Sequence, residues 1–326
     1  MVTTLLLGAI GMAVLSISAS LLVDGASALG KRWNISDITI GIVVIAFGTS
    51  LPEFTVNMIS AYAGSADLAI GNILGSNMAN LLLILGIASL ITPLRVRTRT
   101  TFTEVPFALL AAAVTATLTL DTVFDPAALQ STLSIADGLI LLSFFVIFVY
   151  YIVSVAREAH ETLGTDTGNE VNRDQESVKK LMTYIIAGIA GLVLSGTWVV
   201  NGAIELAHLA GLSETLIGLT IVSVGTSLPE LAAAIASARR YKTDLVIGNL
   251  VGSNIFNTFW ILGATALVIP IPILHEHYVS LMVNIVASAL VFITLILGAR
   301  HVLERWGGAV LITCYMVYLV LIAFGA

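Results

Sequence analysis

The residues with the clearest chemical potential in this chain form one hexapeptide that occurs twice in apolar surroundings. It reads Gly-Thr-Ser-Leu-Pro-Glu at 48–53 and again at 225–230. A proline inside a helix removes a backbone hydrogen bond and clashes with the preceding turn, so Pro52 and Pro229 predict broken helices. The hydroxyls lie three and four residues before each glutamate, which puts their oxygens on one helix face. The pattern predicts oxygen ligands at Thr49, Ser50, Glu53, Thr226, Ser227 and Glu230.

A second polar motif follows the hexapeptide in each half of the chain. It reads Gly-Asn-x-x-Gly-Ser-Asn-x-x-Asn at 71–80 and at 248–257. The serine and the last asparagine are one turn apart, so they share a helix face and are expected to complete the oxygen cage. These residues are Ser76, Asn80, Ser253 and Asn257. The other asparagines are expected either to bond freed backbone around the cage or to bind an ion directly, and they are Asn72, Asn77, Asn249 and Asn254.

The composition indicates a membrane protein. Of 326 residues, 58% are hydrophobic and 10% are charged, and the mean hydropathy is +1.01. A soluble domain carries about 25% charged residues. The net charge of −6 offers nothing to a nucleic acid, and the single Cys314 excludes an internal disulfide or a cysteine metal cage. We therefore expect the lipid bilayer as the surroundings, and neither a cofactor nor an obligatory protein partner is implied.

Ten apolar runs are long enough to cross a bilayer, which needs about 20 residues each. They lie at 2–24, 36–61, 67–92, 102–120, 134–156, 181–208, 214–238, 244–270, 279–299 and 307–325. None alternates strictly between apolar and polar residues, so none is predicted to be a strand. The first run has no basic segment before it and is expected to be a retained spanning helix. The fold class predicted is an all-α polytopic membrane protein with ten transmembrane helices.

The basic residues predict the orientation of these helices. All 14 Lys and Arg residues lie in, or at the edges of, the connections after runs one, three, five, seven and nine. Basic residues prefer the cytoplasmic side of a membrane. We therefore expect these connections in the cytoplasm, both termini outside, and the protein in the cell (inner) membrane.

The two motifs belong to an internal repeat with an offset of 177 residues. Residues 40–86 match 217–263 at 22 of 47 positions without a gap. Each half contains five runs, and because five is odd the second half enters the membrane upside down. We expect a first repeat at 1–156, a cytoplasmic linker at 157–180 and a second, inverted repeat at 181–326, with helices 2, 3, 7 and 8 broken. Inverted repeats with broken helices that meet at the midplane are typical of secondary transporters.

The ligand types indicate which ions such a site takes. Carboxylate, hydroxyl and amide oxygens suit Ca²⁺, Mg²⁺ or Na⁺ and not Zn²⁺ or Cu²⁺. Mg²⁺ releases its waters reluctantly, which disfavours it. Two glutamates balance one Ca²⁺, and Na⁺ ions compete for the same oxygens. Filling the site with either ion, but not with both, predicts an antiporter that works by alternating access and is not an enzyme.

The paired motifs resemble the two α-repeats of the sodium/calcium exchanger family in the calcium/cation antiporter superfamily. The short 157–180 connection resembles prokaryotic-type members, which have no large regulatory loop. The resemblance implies ten helices with the termini outside and electrogenic exchange of about three Na⁺ for one Ca²⁺. It also implies that the ten cage residues named above are ligands, joined by the backbone carbonyls of Ala46 and Ser223.

Other functions are weighed against this one. Asn257 stands where some relatives carry Asp, and the potassium-coupled branch typically has an acid there, which disfavours K⁺ coupling. H⁺/Ca²⁺ antiporters resemble a Gly-Asn-Ala-x-Glu pattern that these motifs do not follow. A K⁺-dependent or H⁺-coupled antiporter remains the alternative. An intramembrane protease would leave the hydroxyl and amide ligands unused, and a channel would not need alternating access.

Overall fold

A computed structural model describes residues 2–33, 35–64, 66–124, 130–163, 177–209, 223–297 and 301–323. The helices in these ranges are α1 (Val2–Arg32), α2 (Asp37–Thr49), α3 (Leu51–Tyr62), α4 (Ala66–Ile91), α5 (Thr98–Thr119), α6 (Asp121–Phe124), α7 (Ile135–Leu163), α8 (Val178–Leu209), α9 (Ser223–Thr226), α10 (Leu228–Arg239), α11 (Thr243–Val268), α12 (His275–Leu297) and α13 (Arg305–Ala323). The strands are β1 (Leu94–Arg95), β2 (Thr132–Leu133), β3 (Ile271–Pro272) and β4 (Val302–Leu303).

Within the described ranges, eight helices are long and apolar enough to cross a membrane, and a ninth span results if the bent pair α2 and α3 is counted as one. The regular structure of the described residues is therefore helical apart from four two-residue strands in the connections. The predicted seventh run, 214–238, lies partly outside the described residues, and the structure describes it only from Ser223 onward.

The helix breaks fall at the hexapeptides, two residues before each proline. Ser50 (φ −83°, ψ 4°) separates α2 from α3, which meet at 42°, and Ser227 (φ −88°, ψ 8°) separates α9 from α10. Pro52 and Pro229 are each the second residue of the new helix. The N–H groups in the first turn of a helix have no acceptor within that helix, so a proline there costs no helical hydrogen bond. Each proline therefore starts a helix here and does not interrupt one.

The predicted breaks in the third and eighth runs are wrong in form. Helices α4 and α11 continue without interruption, but each widens into a π-helical stretch, at Ala79–Ile84 and Phe256–Leu262. Without a proline, the chain accommodates an extra residue per turn and keeps its backbone hydrogen bonds. Asn80 and Asn257 lie within these wide turns. A third wide turn, Gly41–Ala46, precedes the first hexapeptide in α2.

Helices α4 and α11 form the centre of the protein. In their most apolar windows 78% and 94% of the residues are buried, against 22–44% for the other spans. Helix α11 crosses α2 where Gly41 meets Gly248. A Cβ atom on Gly248 would lie 2.6 Å from the Ile38 carbonyl oxygen, so only glycine allows this approach. Gly41 and Gly248 thus bring the two halves together.

Several contacts reflect the repeat: some join helices that correspond to each other in the two halves, and others occur in pairs that exchange of the halves relates. Helix α5 packs on α12, and α1 packs along α8. Helix α7 packs on the last turns of α11, as α13 does on the last turns of α4. Strand β1 pairs antiparallel with β4, and β3 pairs antiparallel with β2. The strands β1 and β3 follow α4 and α11 directly, so the two ladders occupy corresponding places in the two halves.

Candidate ion-binding site

The two hexapeptides meet in the interior, where each glutamate is bound by a serine of the other half. Glu53 and Glu230 are both 0% exposed. The Ser227 hydroxyl donates to Glu53 Oε1 at 3.4 Å, and the Ser50 hydroxyl donates to Glu230 Oε1 at 3.3 Å. The sequence placed these residues 177 apart in two copies, and the fold joins them into one cluster.

The second motif supplies the next hydroxyls around this cluster. Ser253 donates to Glu230 Oε1 at 3.4 Å and lies 3.1 Å from the Ser50 hydroxyl. In the other half, the hydroxyls of Ser76 and Thr226 lie 3.3 Å apart. Two corresponding groups result. We call Thr49, Asn249, Ser253 and Glu230 the Thr49 half-site, and Thr226, Asn72, Ser76 and Glu53 the Thr226 half-site.

Four buried oxygens at the centre have no hydrogen-bond donor in the described parts of the chain: Glu53 Oε2, Glu230 Oε2, Asn80 Oδ1 and Asn257 Oδ1. The two amides are held by their nitrogens, since Asn80 Nδ2 donates to Asn254 Oδ1 and Asn257 Nδ2 to Asn77 Oδ1, each at 3.1 Å. An unsatisfied buried acceptor costs about 1–3 kcal/mol, and more if charged. Four acceptors without a donor are the arrangement that a cation satisfies.

The remaining motif asparagines have both polar ends of the side chain engaged by protein groups. Asn249 accepts from Thr49 at 3.2 Å and donates to the Glu230 carbonyl oxygen at 3.4 Å. Asn72 accepts from Thr226 at 3.2 Å and donates to the Glu53 carbonyl oxygen at 3.5 Å. Asn254 accepts from Asn80 and donates to the Asn77 carbonyl oxygen. Asn77 accepts from Asn257 and donates to the Thr258 hydroxyl. These contacts favour the interpretation in which the four asparagines support the cage.

The Ala46 carbonyl oxygen, expected as a ligand, already accepts two hydrogen bonds. The Ser50 N–H donates to it at 3.0 Å and the Thr49 hydroxyl at 3.3 Å. Thr49 has other acceptors in reach, the Ile45 carbonyl oxygen at 3.0 Å and Asn249 Oδ1 at 3.2 Å. The oxygen of Ala46 becomes available if the threonine hydroxyl turns to one of these. Its counterpart Ser223 is the first described residue of α9, and its side chain lies outside the described part.

Three polar residues near the cage were missed by reasoning from the motifs. Asn57 donates to Thr265, and Thr258 accepts from Asn77. All three residues are buried. The repeat itself indicated these residues. At an offset of 177, the counterpart of Asn57 is Ala234, that of Thr265 is Ala88 and that of Thr258 is Leu81. A buried polar residue in only one of two similar halves requires a separate explanation.

The two half-sites differ in exposure. Thr49 is 0% and Asn249 is 1% exposed, whereas their counterparts Thr226 and Asn72 are partly exposed. Thr226 and Asn72 are therefore less buried than Thr49 and Asn249, although Glu53 and Ser76 of the same half-site are fully buried.

The donor atoms that the cage side chains offer are all oxygens. Among the described residues, no group of three or more His, Cys, Asp or Glu side chains could hold a metal ion. What the cage offers instead is two carboxylates with hydroxyl and amide oxygens, the ligands of Ca²⁺ and Na⁺.

Comparison with known proteins agrees with these observations. The chain matches the family described as sodium/calcium exchanger protein over residues 3–154 and 180–324. It is 36% identical over 290 residues to the inner membrane protein YrbG of Escherichia coli, covering 86% of each chain. It is 33% identical over 316 residues to the putative antiporter CaxA of Alkalimonas amylolytica, covering 95% of each.

The fold is similar to solved structures of the sodium-calcium exchanger NCX_Mj. The structure soaked with 10 mM Na⁺ and 10 mM Sr²⁺ has a TM-score of 0.81 at 27% identity, covering 98% of this chain and 97% of that one. The structure soaked with 2.5 mM Na⁺ and 0.1 mM Ca²⁺ gives a TM-score of 0.80 with the same identity and coverage. Family match, sequence identity and fold agree along almost the whole length. The chain belongs to the sodium/calcium exchanger family of membrane transport proteins.

Proposed function

We propose that this chain exchanges Na⁺ for Ca²⁺ across the membrane by alternating access. The observation that carries the proposal is the set of four unpartnered buried oxygens, one carboxylate and one amide from each half. The two carboxylates balance one Ca²⁺, and family membership and the NCX_Mj soaks make Na⁺ and Ca²⁺ the ions to test first.

The proposed ligands are the side chains of the cage. Glu53, Glu230, Asn80 and Asn257 bind the divalent ion through their unpartnered oxygens. The hydroxyls bind Na⁺ ions at positions displaced toward each half-site, and these are Thr49, Ser50, Ser76, Thr226, Ser227 and Ser253. The carbonyls of Ala46 and Ser223 join the Na⁺ positions when the threonine hydroxyls turn away. Exchange of about three Na⁺ for one Ca²⁺ would move net charge, as the family resemblance implies.

The proposed architecture has ten spans as two inverted repeats, 1–156 and 181–326, joined by a cytoplasmic linker at 157–180. The contacts α5–α12 and α1–α8, each between corresponding helices of the two halves, and the corresponding strand ladders support it. The distribution of basic residues supports a cytoplasmic linker and outside termini. The unequal exposure of the two half-sites supports access from one side at a time.

The test is uptake of ⁴⁵Ca²⁺ into vesicles that contain the purified protein. An outward Na⁺ gradient should drive uptake, and a membrane potential should change its rate. Uptake driven by a pH gradient but not by Na⁺ would favour the H⁺/Ca²⁺ alternative. A strict requirement for K⁺ would favour the K⁺-dependent one.

A further inference from the structure

A cluster of five aromatic rings packs beside the first hexapeptide, and the corresponding positions of the other half hold no aromatic residue. We call it the aromatic cluster, and it consists of Phe47, Phe54, Phe145, Phe256 and Trp260. At the 177-residue offset these positions hold Val224, Leu231, Ile322, Ala79 and Leu83. The ten proposed side-chain ligands, by contrast, are identical in type in the two halves. The aromatic cluster is therefore a feature of one hexapeptide and not of the repeat.

Trp260 of α11 stacks on rings from both sides of the helix break. Its ring is nearly parallel to that of Phe54 in α3, with the centroids 4.7 Å apart and an interplanar angle of 5°. It also stacks on Phe47 in α2, at 5.4 Å and 26°. These two phenylalanines flank Ser50, where α2 and α3 meet at 42°. One indole thus contacts the helix that ends at the break and the helix that begins there.

The other two rings fix the orientation of the indole. Phe145 of α7 stacks on Trp260 at 6.2 Å and 19°. Phe256 meets Trp260 edge to face at 6.1 Å and meets Phe145 in the same manner at 5.2 Å. Stacked and edge-to-face pairs of rings add stabilisation beyond the burial of their apolar area. Trp260 is therefore held by rings from α2, α3, α7 and its own helix.

The aromatic cluster is joined to the proposed Ca²⁺ ligands through short stretches of backbone. Phe54 follows Glu53 directly, and Trp260 lies three residues after Asn257 in the same π-helical stretch. Glu53 and Asn257 each have a buried oxygen with no donor in the described parts of the chain. The relative position of these two oxygens depends on how α3 and α11 are held together, and the stack of Phe54 on Trp260 is a contact between these helices.

We propose that Trp260 is a positioning residue that clamps α2, α3 and α11 together around the first hexapeptide. The clamp fixes the bend at Ser50, and with it the relative position of Glu53 and Asn257, before Ca²⁺ binds. Ligands that are fixed in advance lose less conformational freedom on binding, so the clamp raises the affinity for Ca²⁺. The effect on affinity rests on the proposed exchange of Na⁺ and Ca²⁺, whereas the fixed bend is a property of the ion-free protein.

The first test measures the bend in the purified protein without ions. Spin labels on Val43→Cys in α2 and Ile59→Cys in α3, in a background with Cys314→Ala, report the distance across the break by double electron–electron resonance. Both label positions are exposed, so the labels stay outside the core. The wild-type Trp260 should give a narrow distance distribution, and Trp260→Leu, which introduces the residue type of the other half, should broaden it. Trp260→Phe keeps a ring and should restore most of the narrow distribution.

The second test is uptake of ⁴⁵Ca²⁺ into vesicles. Trp260→Leu should raise the Ca²⁺ concentration for half-maximal uptake about two- to tenfold, the range expected for the loss of one aromatic pair. The maximal rate should stay at the wild-type value. Phe54→Leu removes the other partner of the closest stack and should shift the concentration in the same direction, and Trp260→Phe should shift it less than Trp260→Leu.

Phe259→Leu is the matched control for a general loss of packing. Phe259 precedes Trp260 in the same π-helical stretch, is 0% exposed and stacks on Phe144 of α7 at 5.3 Å. Its stack joins α11 to α7 and not to α2 or α3. Phe259→Leu should therefore lower the unfolding temperature while the distance distribution and the Ca²⁺ concentration for half-maximal uptake stay at the wild-type values.

The outcomes distinguish the clamp from the proposed exchange. A distribution that stays narrow in Trp260→Leu, or that broadens equally in Phe259→Leu, would overturn the clamp. Uptake by Trp260→Leu with an unchanged half-maximal concentration would overturn its effect on affinity. Wild type that neither binds nor takes up Ca²⁺ would overturn the proposed exchange and the effect on affinity, and a broadened distribution in Trp260→Leu alone would still support the clamp.

Discussion

Replacing either cage glutamate by glutamine should abolish the stabilisation by Ca²⁺ and should stabilise the ion-free protein. In Glu230→Gln the side chain keeps its shape, and its Nε2 can donate to Ser50 and Ser253, which lie 3.3 and 3.4 Å from Oε1. The fold should therefore persist. Glu53→Gln is the corresponding change in the other half, where Ser227 lies 3.4 Å away.

The magnitude follows from burial and charge. Removing one partner of a buried ion pair costs about 3–5 kcal/mol, so the affinity for Ca²⁺ should fall by roughly two to three and a half orders of magnitude. Without ions the effect has the opposite sign. The wild type then holds two buried carboxylates with an unpartnered oxygen each, and losing one such charge should stabilise the ion-free protein by about 1–3 kcal/mol.

The assay is thermal unfolding of detergent-solubilised protein without Na⁺, with and without Ca²⁺. The variants should unfold at a higher temperature than the wild type in the absence of ions and should gain nothing from Ca²⁺. The matched control is Glu104→Gln. Glu104 is 1% exposed, lies on α5, and also has one oxygen bound, by the Tyr151 hydroxyl at 2.8 Å, and one without a partner among the described residues.

Glu104→Gln should keep the full stabilisation by Ca²⁺, because this glutamate lies outside the cage. A Ca²⁺-dependent rise in Glu53→Gln or Glu230→Gln that equals the wild-type rise would refute the assignment of the carboxylates. Loss of the rise in Glu104→Gln would show that the effect comes from any buried glutamate and not from the cage.

Three further changes test other parts of the site. Asn257→Asp adds a third carboxylate at an unpartnered oxygen and should change the charge moved per Ca²⁺, which is measured as a shift in the reversal potential. Asn80→Asp is the corresponding change in the other half. An unshifted reversal potential in both variants would remove the two asparagines from the ligand set. Ser50→Ala removes a donor 3.3 Å from a carboxylate and should raise the Ca²⁺ concentration for half-maximal uptake about two- to tenfold; an unchanged value would contradict this. Gly248→Ala pushes a Cβ into the backbone of α2 and should lower stability by about 1–3 kcal/mol, measured by thermal unfolding, whereas Gly71→Ala, with no described atom within 4 Å, should not.

Much of the fold was predictable because a bilayer restricts what a chain can do. Segments that span a bilayer must be helical and apolar, so the apolar runs of the sequence predicted where they lie. The described spans agree with the predicted ones apart from the seventh, which is only partly described. The helix breaks were predicted at the right motif, but two residues late, because Pro52 and Pro229 start helices. The breaks expected in α4 and α11 were wrong, since a wide π-helical turn changes the direction of side chains without any local residue signal.

The residue types and the 177-residue offset identified the chemistry, because carboxylates, hydroxyls and amides are costly in a membrane interior unless they meet a partner. Spacing along the chain could not separate Asn80 and Asn257, whose oxygens are unpartnered, from the four asparagines that bind protein groups. All six occur in the same two motifs, and only the partner that each amide nitrogen finds across the helices decides where its oxygen points. The same holds for Asn57: its unmatched counterpart Ala234 was visible in the repeat, but its hydrogen bonds to Asn72 and Thr265 form only where α3, α4 and α11 come together.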